Sequence, residues 1–409
     1  MLALSALPLM GSVGVAVDFT RANAARTAFQ AALDSTALML SKNAASQSQG
    51  ELQSSASSYF NALFNRPEAK NVSVSAAYSS QNGSKITLSG TATIETNFLG
   101  VLGYSQLPIS ASATSTWGNT RLRVALVLDN TGSMSSDNKM SALKTASKNL
   151  LKQLQGAAAN EADVYVSIVP FNKDVNIGKD NYNSSWLRWD LWEAENGKCS
   201  KSDYKTKGSC ESHNKVWTAD AHSKWNGCLT DRDQNFDTTN TAPGVGSTLY
   251  PAEQYESCPV ELMGLSNDWT ALNTKIEAMQ PAGNTNQAIG LQMGWQSLTA
   301  SPFTIPSVDP NYNYNQVIIL LTDGQNTENR WYTNQSSIDN RQQKTCDNIK
   351  AAGITLYTVQ VNTGNDATST MLKNCATDSS KFFLLTSASQ MVTTFNQIGT
   401  ALSNLRLAM

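Results

Sequence analysis

The sequence predicts an α/β protein: a mostly parallel central sheet with helices on both faces, preceded by a smaller α+β region. Three observations predict it. Residues 122–128 (LRVALVL) form a near-continuous apolar run, which marks a strand buried on both faces. From there to the C-terminus, apolar strand-length runs alternate with amphipathic helix-length runs, the pattern of a wound parallel sheet. Ahead of it, apolar positions recur first at helical spacing and then at every second residue.

The chain opens on an uncharged stretch, MLALSALPLMGSVGVAV, with Asp18 its first charge. That is about the shortest run able to span a bilayer. It is read as a membrane anchor with a continuing helix over residues 1–45; a buried amphipathic helix is the alternative. No basic residue precedes the run, while Arg21, Arg26 and Lys42 follow it, so the usual orientation signal is missing and the true start is expected upstream of Met1. No small-x-small cleavage site leads to a clear mature start, which favours an anchor over a removed signal peptide. Beyond Asp18, Ala25, Phe29, Ala32, Leu33 and Thr36 share one helical face.

Residues 46–120 read as a small strand-rich region. A second helix carries Leu52, Tyr59, Phe60, Leu63 and Phe64 and ends before Pro67. The period then falls to two. Val72 and Val74 alternate with serines, Asn82-Gly83 signals a hairpin turn, and Ile86, Leu88, Gly90, Ala92 and Ile94 alternate with polar residues. Leu107, Ile109, Ala111 and Ala113 make a further strand. A long helix followed by a small antiparallel sheet is a pilin-like layout.

The α/β domain begins at Arg121. After the first strand, Lys139 to Leu154 is an amphipathic helix with Leu143, Ala146, Leu150 and Leu154 on one face. Val164 to Val169 is a strand ending at Pro170. After a long interruption come helices at Trp269 to Met279 and Thr285 to Leu298, a strand at Val317 to Leu321, and a helix from Asp339 to Ala352 closed by Gly353. Strands at Ile354 to Val361 and Lys381 to Leu385 follow, with a final helix from Ser389 to Leu405. The domain thus occupies 121–171 and 269–409.

Between Phe171 and Asp268 the periodicity vanishes. A structureless loop of that length is improbable in a compact domain, so residues 172–268 are read as an inserted subdomain. It contains Trp186, Trp189, Trp192, Trp217 and Trp225 together with Cys199, Cys210, Cys228 and Cys258. The remaining cysteines are Cys346 and Cys375. An even count clustered in a loop-rich stretch points to disulfides in an oxidising compartment. His213 and His222 lie near cysteines, but the spacing matches no standard zinc pattern.

Composition excludes one broad class. Lys plus Arg number 30 and Asp plus Glu 32, for a net charge of -2, so bulk charge gives no support for nucleic-acid binding. Charged residues are only 15% of the chain, a polar, weakly charged surface suited to an extracytoplasmic protein.

A metal constellation follows the first buried strand. Asp129, Thr131 and Ser133 offer a carboxylate and two hydroxyls at alternating positions, with Gly132 allowing a tight turn. In a parallel α/β sheet, ligands sit at the carboxyl ends of the strands. Two further strand-end loops supply matching groups: Thr285 in Gly-Asn-Thr-Asn, and Asp323 at the end of Leu-Leu-Thr-Asp-Gly. These hard oxygen donors suit Mg²⁺, with Mn²⁺ or Ca²⁺ as alternatives. A dication bound by so few negative charges stays partly uncompensated and can accept a carboxylate from a partner.

D-x-T-G-S-M after an apolar strand, G-N-T-N-x-x-I-G-L and L-L-T-D-G, in that order, resemble the metal-ion-dependent adhesion site of von Willebrand factor A (VWA) domains, which have a Rossmann-like sheet. The resemblance covers most of 121–409 apart from the insertion. It implies that Asp129, Thr131, Ser133, Thr285 and Asp323 ligate the ion directly or through water. Thr131 stands where the family more often has Ser, and the hydroxyl is retained.

A second resemblance covers the whole chain. The N-terminal passage ALPLMGSVGVAVDFTRANAARTAFQAALDSTAL is similar to TadE/TadG pilus-assembly proteins. So are FLGVLGYSQLPISASATS and the closing CDNIKAAGITLYTVQV and LKNCA segments. A TadG-like protein of the Flp/tight-adherence pilus system is implied, single-pass in the bacterial inner membrane with a periplasmic body. Its metal edge would engage an acidic residue of a pilus-system partner. The same resemblance favours Cys346 and Cys375 as a disulfide. A surface adhesin using the metal site is the alternative.

Two other candidates are weaker. Asp231, Asp233, Asn235 and Asp237 place acidic or amide groups at every second position, like the start of a calcium loop, and so suggest a structural Ca²⁺. Phe236, however, stands where such a loop needs Gly, and no Glu closes it. A metal-dependent hydrolase would need a general base beside Asp129, and the sequence supplies neither a nearby His nor a phosphate-loop Lys. The expectation is therefore a protein that is not an enzyme.

Overall fold

The computed structural model describes every residue except 1, 42, 45–46, 80–83, 118–119, 159, 301, 311, 365–366 and 408–409. The Asn82-Gly83 turn lies outside the described residues. The chain divides into two compact units, one made mainly of Met1–Thr120 and the other of Arg121–Asp309 with Tyr314–Arg406.

The first unit packs two helices on a three-stranded antiparallel sheet. Helix α1 spans Leu2–Ser41 and α2 spans Gln49–Leu63. Strands β1 (Ala69–Ser79), β2 (Ser84–Glu95) and β3 (Gln106–Trp117) pair in that order. Ser48 and Glu51 close a capping box that starts α2, satisfying two backbone amides that the helix leaves unpaired. The expected period of two in β2 holds, with Ile86, Leu88, Ala92 and Ile94 buried. They pack against Ala25, Phe29, Ala32 and Leu33 of α1 and Leu52 and Phe60 of α2 in one apolar cluster. Phe29 lies so close to Gly90 that a Cβ there would sit 2.7 Å from its ring.

This packing corrects the reading of the N-terminus. Among the described residues, no helix is long and apolar enough to cross a membrane. Ser5, Pro8, Gly11, Ser12 and Gly14 interrupt the apolar run, and a span needs about 20 predominantly apolar residues. The downstream half of α1 is instead a core helix of the first unit, and Asp18 turns its carboxylate to the amides of Asn97, Phe98 and Leu99 at 3.0, 2.7 and 2.7 Å. The structure therefore does not support single-pass inner-membrane placement.

The second unit is the expected doubly covered sheet. Its elements are β4 (Thr120–Asp129), α3 (Lys139–Ala157), β5 (Val164–Phe171), β6 (Val175–Asn176), β7 (Cys228–Leu229) and β8 (Met263–Ser266). They continue with α4 (Trp269–Glu277), α5 (Gln287–Thr299), β9 (Asn313–Thr322), α6 (Gln335–Ala351), β10 (Thr355–Val361), α7 (Thr370–Cys375), β11 (Phe382–Leu385) and α8 (Gln390–Leu407). The order across the sheet is β7-β6-β5-β4-β9-β10-β11, with β8 also paired to β5. The β4–β5, β9–β10 and β10–β11 pairs are parallel.

Strand alternation explains why β4 is apolar throughout. Leu122, Val124, Leu126 and Leu128 face one layer, where Leu143, Leu150, Ile276 and Phe395 pack. Ala125 and Val127 face the other, with Ile289, Leu291, Ile349 and Leu372. Each fully buried aliphatic side chain contributes about 1.5–3 kcal/mol. Helix α5 presses close to the sheet, so that a Cβ on Gly294 would sit 2.5 Å from Val127 Cγ2.

The segment 172–268 is less separate than its sequence suggests. Two of its strands, β6 and β8, pair antiparallel with β5 and complete that strand's outer edge. Its Trp192, Trp225 and Tyr250 join the same apolar cluster as Val127 and Phe171. Disulfides link Cys199 to Cys210, Cys228 to Cys258, and Cys346 of α6 to Cys375 of α7.

Candidate metal centre

The buried run of β4 delivers Asp129 to the carboxyl end of the sheet with its side chain fully out of solvent. Its Oδ1 accepts hydrogen bonds from the Thr131 amide at 2.8 Å and the Thr131 hydroxyl at 2.6 Å. Its Oδ2 accepts from the Thr322 hydroxyl at 2.7 Å. Thr131 Oγ1 and Ser133 Oγ stand 3.0 Å apart, and Ser133 Oγ donates to Asp323 Oδ1 at 2.6 Å. Asp129, Thr131, Ser133 and Asp323 thus form one continuous chain of oxygen atoms across two loops.

The third loop is bolted to the first through backbone. The Gly132 amide donates to the Gly283 carbonyl at 3.0 Å. Gly283 has φ +78°, a left-handed conformation natural to glycine, and a Cβ there would meet the Tyr255 hydroxyl. Thr285 sits on this loop at the start of α5. Its amide donates to Thr327 Oγ1 at 2.8 Å, and its side chain lines the same open depression of about 400 Å³ as Ser133 and Gly324.

The electrostatics favour a cation. Burial, and after it the nearby Asp323 carboxylate, raise the Asp129 pKa to about 6 against the opposing hydrogen bonds from Thr131 and Thr322. Two like charges gathered among hydroxyls at a strand-end edge are a donor set that a hard dication fits. Among the described residues, no group of three or more His, Cys, Asp or Glu side chains is placed to hold a metal, and the five-residue set does not depend on one.

Two residues here escaped the sequence reading. Thr322 enters the sequence reading only as part of the strand-end motif Leu-Leu-Thr-Asp-Gly, yet its hydroxyl holds the second oxygen of Asp129. Lys139 was read as the start of an amphipathic helix, yet its ammonium forms an ion pair with Asp323 Oδ2. A cation in a helix's first turn opposes the helix dipole, and that sign mismatch was the available signal.

The suggested calcium loop does not converge. Asp231 accepts from Asn286 Nδ2 at 2.9 Å and the Arg330 amide at 3.2 Å. Asp233 is gripped by Arg188 at 2.6 and 3.0 Å and by Arg330 at 2.7 Å. Asn235 and Asp237 both turn to Arg341. Asp233 and Asp237 are thus partners of arginines while Asp231 is held by amides, and the carboxyl of Asp233 is held well below its ordinary pKa by Arg188. The two histidines are likewise engaged within the insertion, His213 with Ser209 and His222 with Glu193.

The sheet and the oxygen-lined edge define a VWA domain, and the family model for the von Willebrand factor type A domain matches residues 238–397. That match begins inside the insertion, so the loop carrying Asp129 is joined to it by the sheet itself. Residues 1–47 match the Flp pilus-assembly TadE/G-like family. Together the two matches give the chain the TadG-like arrangement of a TadE/G-like N-terminus followed by a VWA domain.

No curated protein matches the chain. Among solved structures, the pilus adhesin SpaC from Lactobacillus rhamnosus GG is 15% identical with a TM-score of 0.40, covering 84% of this chain and 36% of its own. The chain thus spans about a third of that structure. The vWF domain of the type V pili tip protein Mfa5 from Porphyromonas gingivalis is 12% identical with a TM-score of 0.41, covering 71% of this chain and 97% of its own. Proximal thread matrix protein 1 from the mussel byssus, with a zinc-occupied MIDAS motif, is 13% identical with a TM-score of 0.36, covering 70% of this chain and 46% of its own. At these scores the likenesses carry no argument about function.

Proposed function

We propose that this chain acts in Flp-type pilus assembly by holding a protein partner through a divalent cation at the carboxyl edge of its VWA sheet. The ion is Mg²⁺, or Mn²⁺ or Ca²⁺ in its place, held by Asp129, Thr131, Ser133, Thr285 and Asp323. An acidic side chain of a pilus-system protein completes the ion's coordination. The observation that carries this reading is the hydrogen-bonded run from Asp129 through Thr131 and Ser133 to Asp323, which gathers hard donors from separated loops. The TadE/G-like N-terminus supplies the biological setting.

The role is one of binding, without catalysis. Both histidines are occupied within the insertion, and the lysine at the site is paired with a carboxylate, so neither supplies a free general base at the metal edge. Three disulfides suit work in an oxidising compartment. The test is a strain carrying Asp129→Ala at normal protein level, scored for pili, beside the purified full chain titrated with Mg²⁺. Loss of pili together with loss of Mg²⁺ binding is the expected result. Intact pili would remove the metal from assembly.

A further inference from the structure

Lys139 is the first residue of α3, and its sign is wrong for that place. The N-terminal end of a helix carries a partial positive charge and favours Asp or Glu. Lys139 is moreover only 6% exposed, although lysine rarely buries without a partner. Two consecutive left-handed residues, Asp137 at φ 53° and Asn138 at φ 58°, bring the chain into the helix at this point. The compensation for the buried ammonium is Asp323, whose side chain is fully buried and whose Oδ2 meets Lys139 Nζ. Its other oxygen, Oδ1, accepts from Ser133. Both oxygens of the second carboxylate at the metal edge are therefore already engaged.

We infer that Lys139 tunes the charge of the metal centre, weakening binding of the bare cation and leaving the bound cation in need of an outside anion. This inference rests on the metal reading above. Asp129 and Asp323 alone would offer a dication two negative charges; with the Lys139 ammonium present, the site offers one. The ammonium also competes directly for Asp323. In a water-poor setting such a neighbour acts strongly, because its field is poorly screened. The ion–site complex then carries net positive charge, which a partner carboxylate neutralises. A site of this kind holds its ion loosely when idle and firmly when docked.

The test is isothermal titration of the full chain with Mg²⁺ and, separately, Mn²⁺, without any partner. Lys139→Gln should tighten binding of each ion at least tenfold. Lys139→Arg, which keeps the charge, should stay within about threefold of the parent. Lys152→Gln, exposed on the same helix, should change nothing. Tighter binding in the Gln variant alone supports the inference. Equal or weaker binding there, or a gain in the Arg variant as well, overturns it. If Lys139→Gln fails to fold, judged by circular dichroism, Lys139→Met under the same titration decides. A parent chain and a Gln variant that both bind no ion would sink the metal reading itself, a distinct outcome from a parent that binds and a variant that binds no better.

Discussion

Ser133 and Asp323 meet at 2.6 Å across 190 positions of sequence. Neighbouring strands β4 and β9 end at the same edge, and each contributes the loop that follows it. The proposed metal site is therefore a property of the sheet order, and perturbing the strands' packing should reach it.

Gly294 is the sharpest place to perturb that packing. Gly294→Ala would drive a Cβ to 2.5 Å from Val127 Cγ2 at the centre of the sheet. Overpacking of this kind costs about 1–3 kcal/mol. Urea unfolding should show a lower midpoint with an unchanged slope. An unaltered midpoint would mean that α5 can shift away freely.

The Cys346–Cys375 bond ties α6 to α7 over a loop of 29 residues. Removing such a bond typically costs about 2–4 kcal/mol. Cys346→Ser with Cys375→Ser should therefore melt several degrees below the parent. Without reductant the same double variant should, like the parent, show no free thiol, and the appearance of free thiols would refute the pairing.

Stability should also depend on pH through Asp231. Burial raises its pKa to about 7 in the folded chain, whereas the unfolded chain titrates near the ordinary value of about 4. The folded state then binds the extra proton between these limits, so stability falls as pH rises through the window, by at most about 1.4 kcal/mol per unit. Above it the full cost remains. Asp231→Asn should flatten part of this slope. Asp129 and Asp174, also raised by burial, keep the remainder. Equal slopes in variant and parent between pH 4 and 7 would contradict the assignment.

What could be read in advance follows from physical range. The run ending in Asp129 is apolar because both its faces are covered, and that leaves a mark in one short window. The helices at Gln49–Leu63 and Lys139–Ala157 follow from periodicity for the same reason. Strands β6 and β7, of two residues each, are too short to show a period, so the insertion's share in the sheet stayed hidden. Lys139 was hidden differently. Its partner lies 184 positions away, and only the sign of its charge hinted at one. The N-terminal run misled because its length approaches a span while Ser5, Pro8, Gly11, Ser12 and Gly14 keep it short of the apolarity a span needs.

The two short strands that lie along β5 have a practical consequence. Cut away residues 172–268, and β5 would present bare amides and carbonyls to any passing chain, the usual start of edge-to-edge aggregation. Start the chain at 238 instead, where the match to the VWA family model begins, and the strand carrying Asp129 is gone altogether. The candidate metal edge cannot be lifted out as a cassette. It is an outcome of the uninterrupted span from 121 onward.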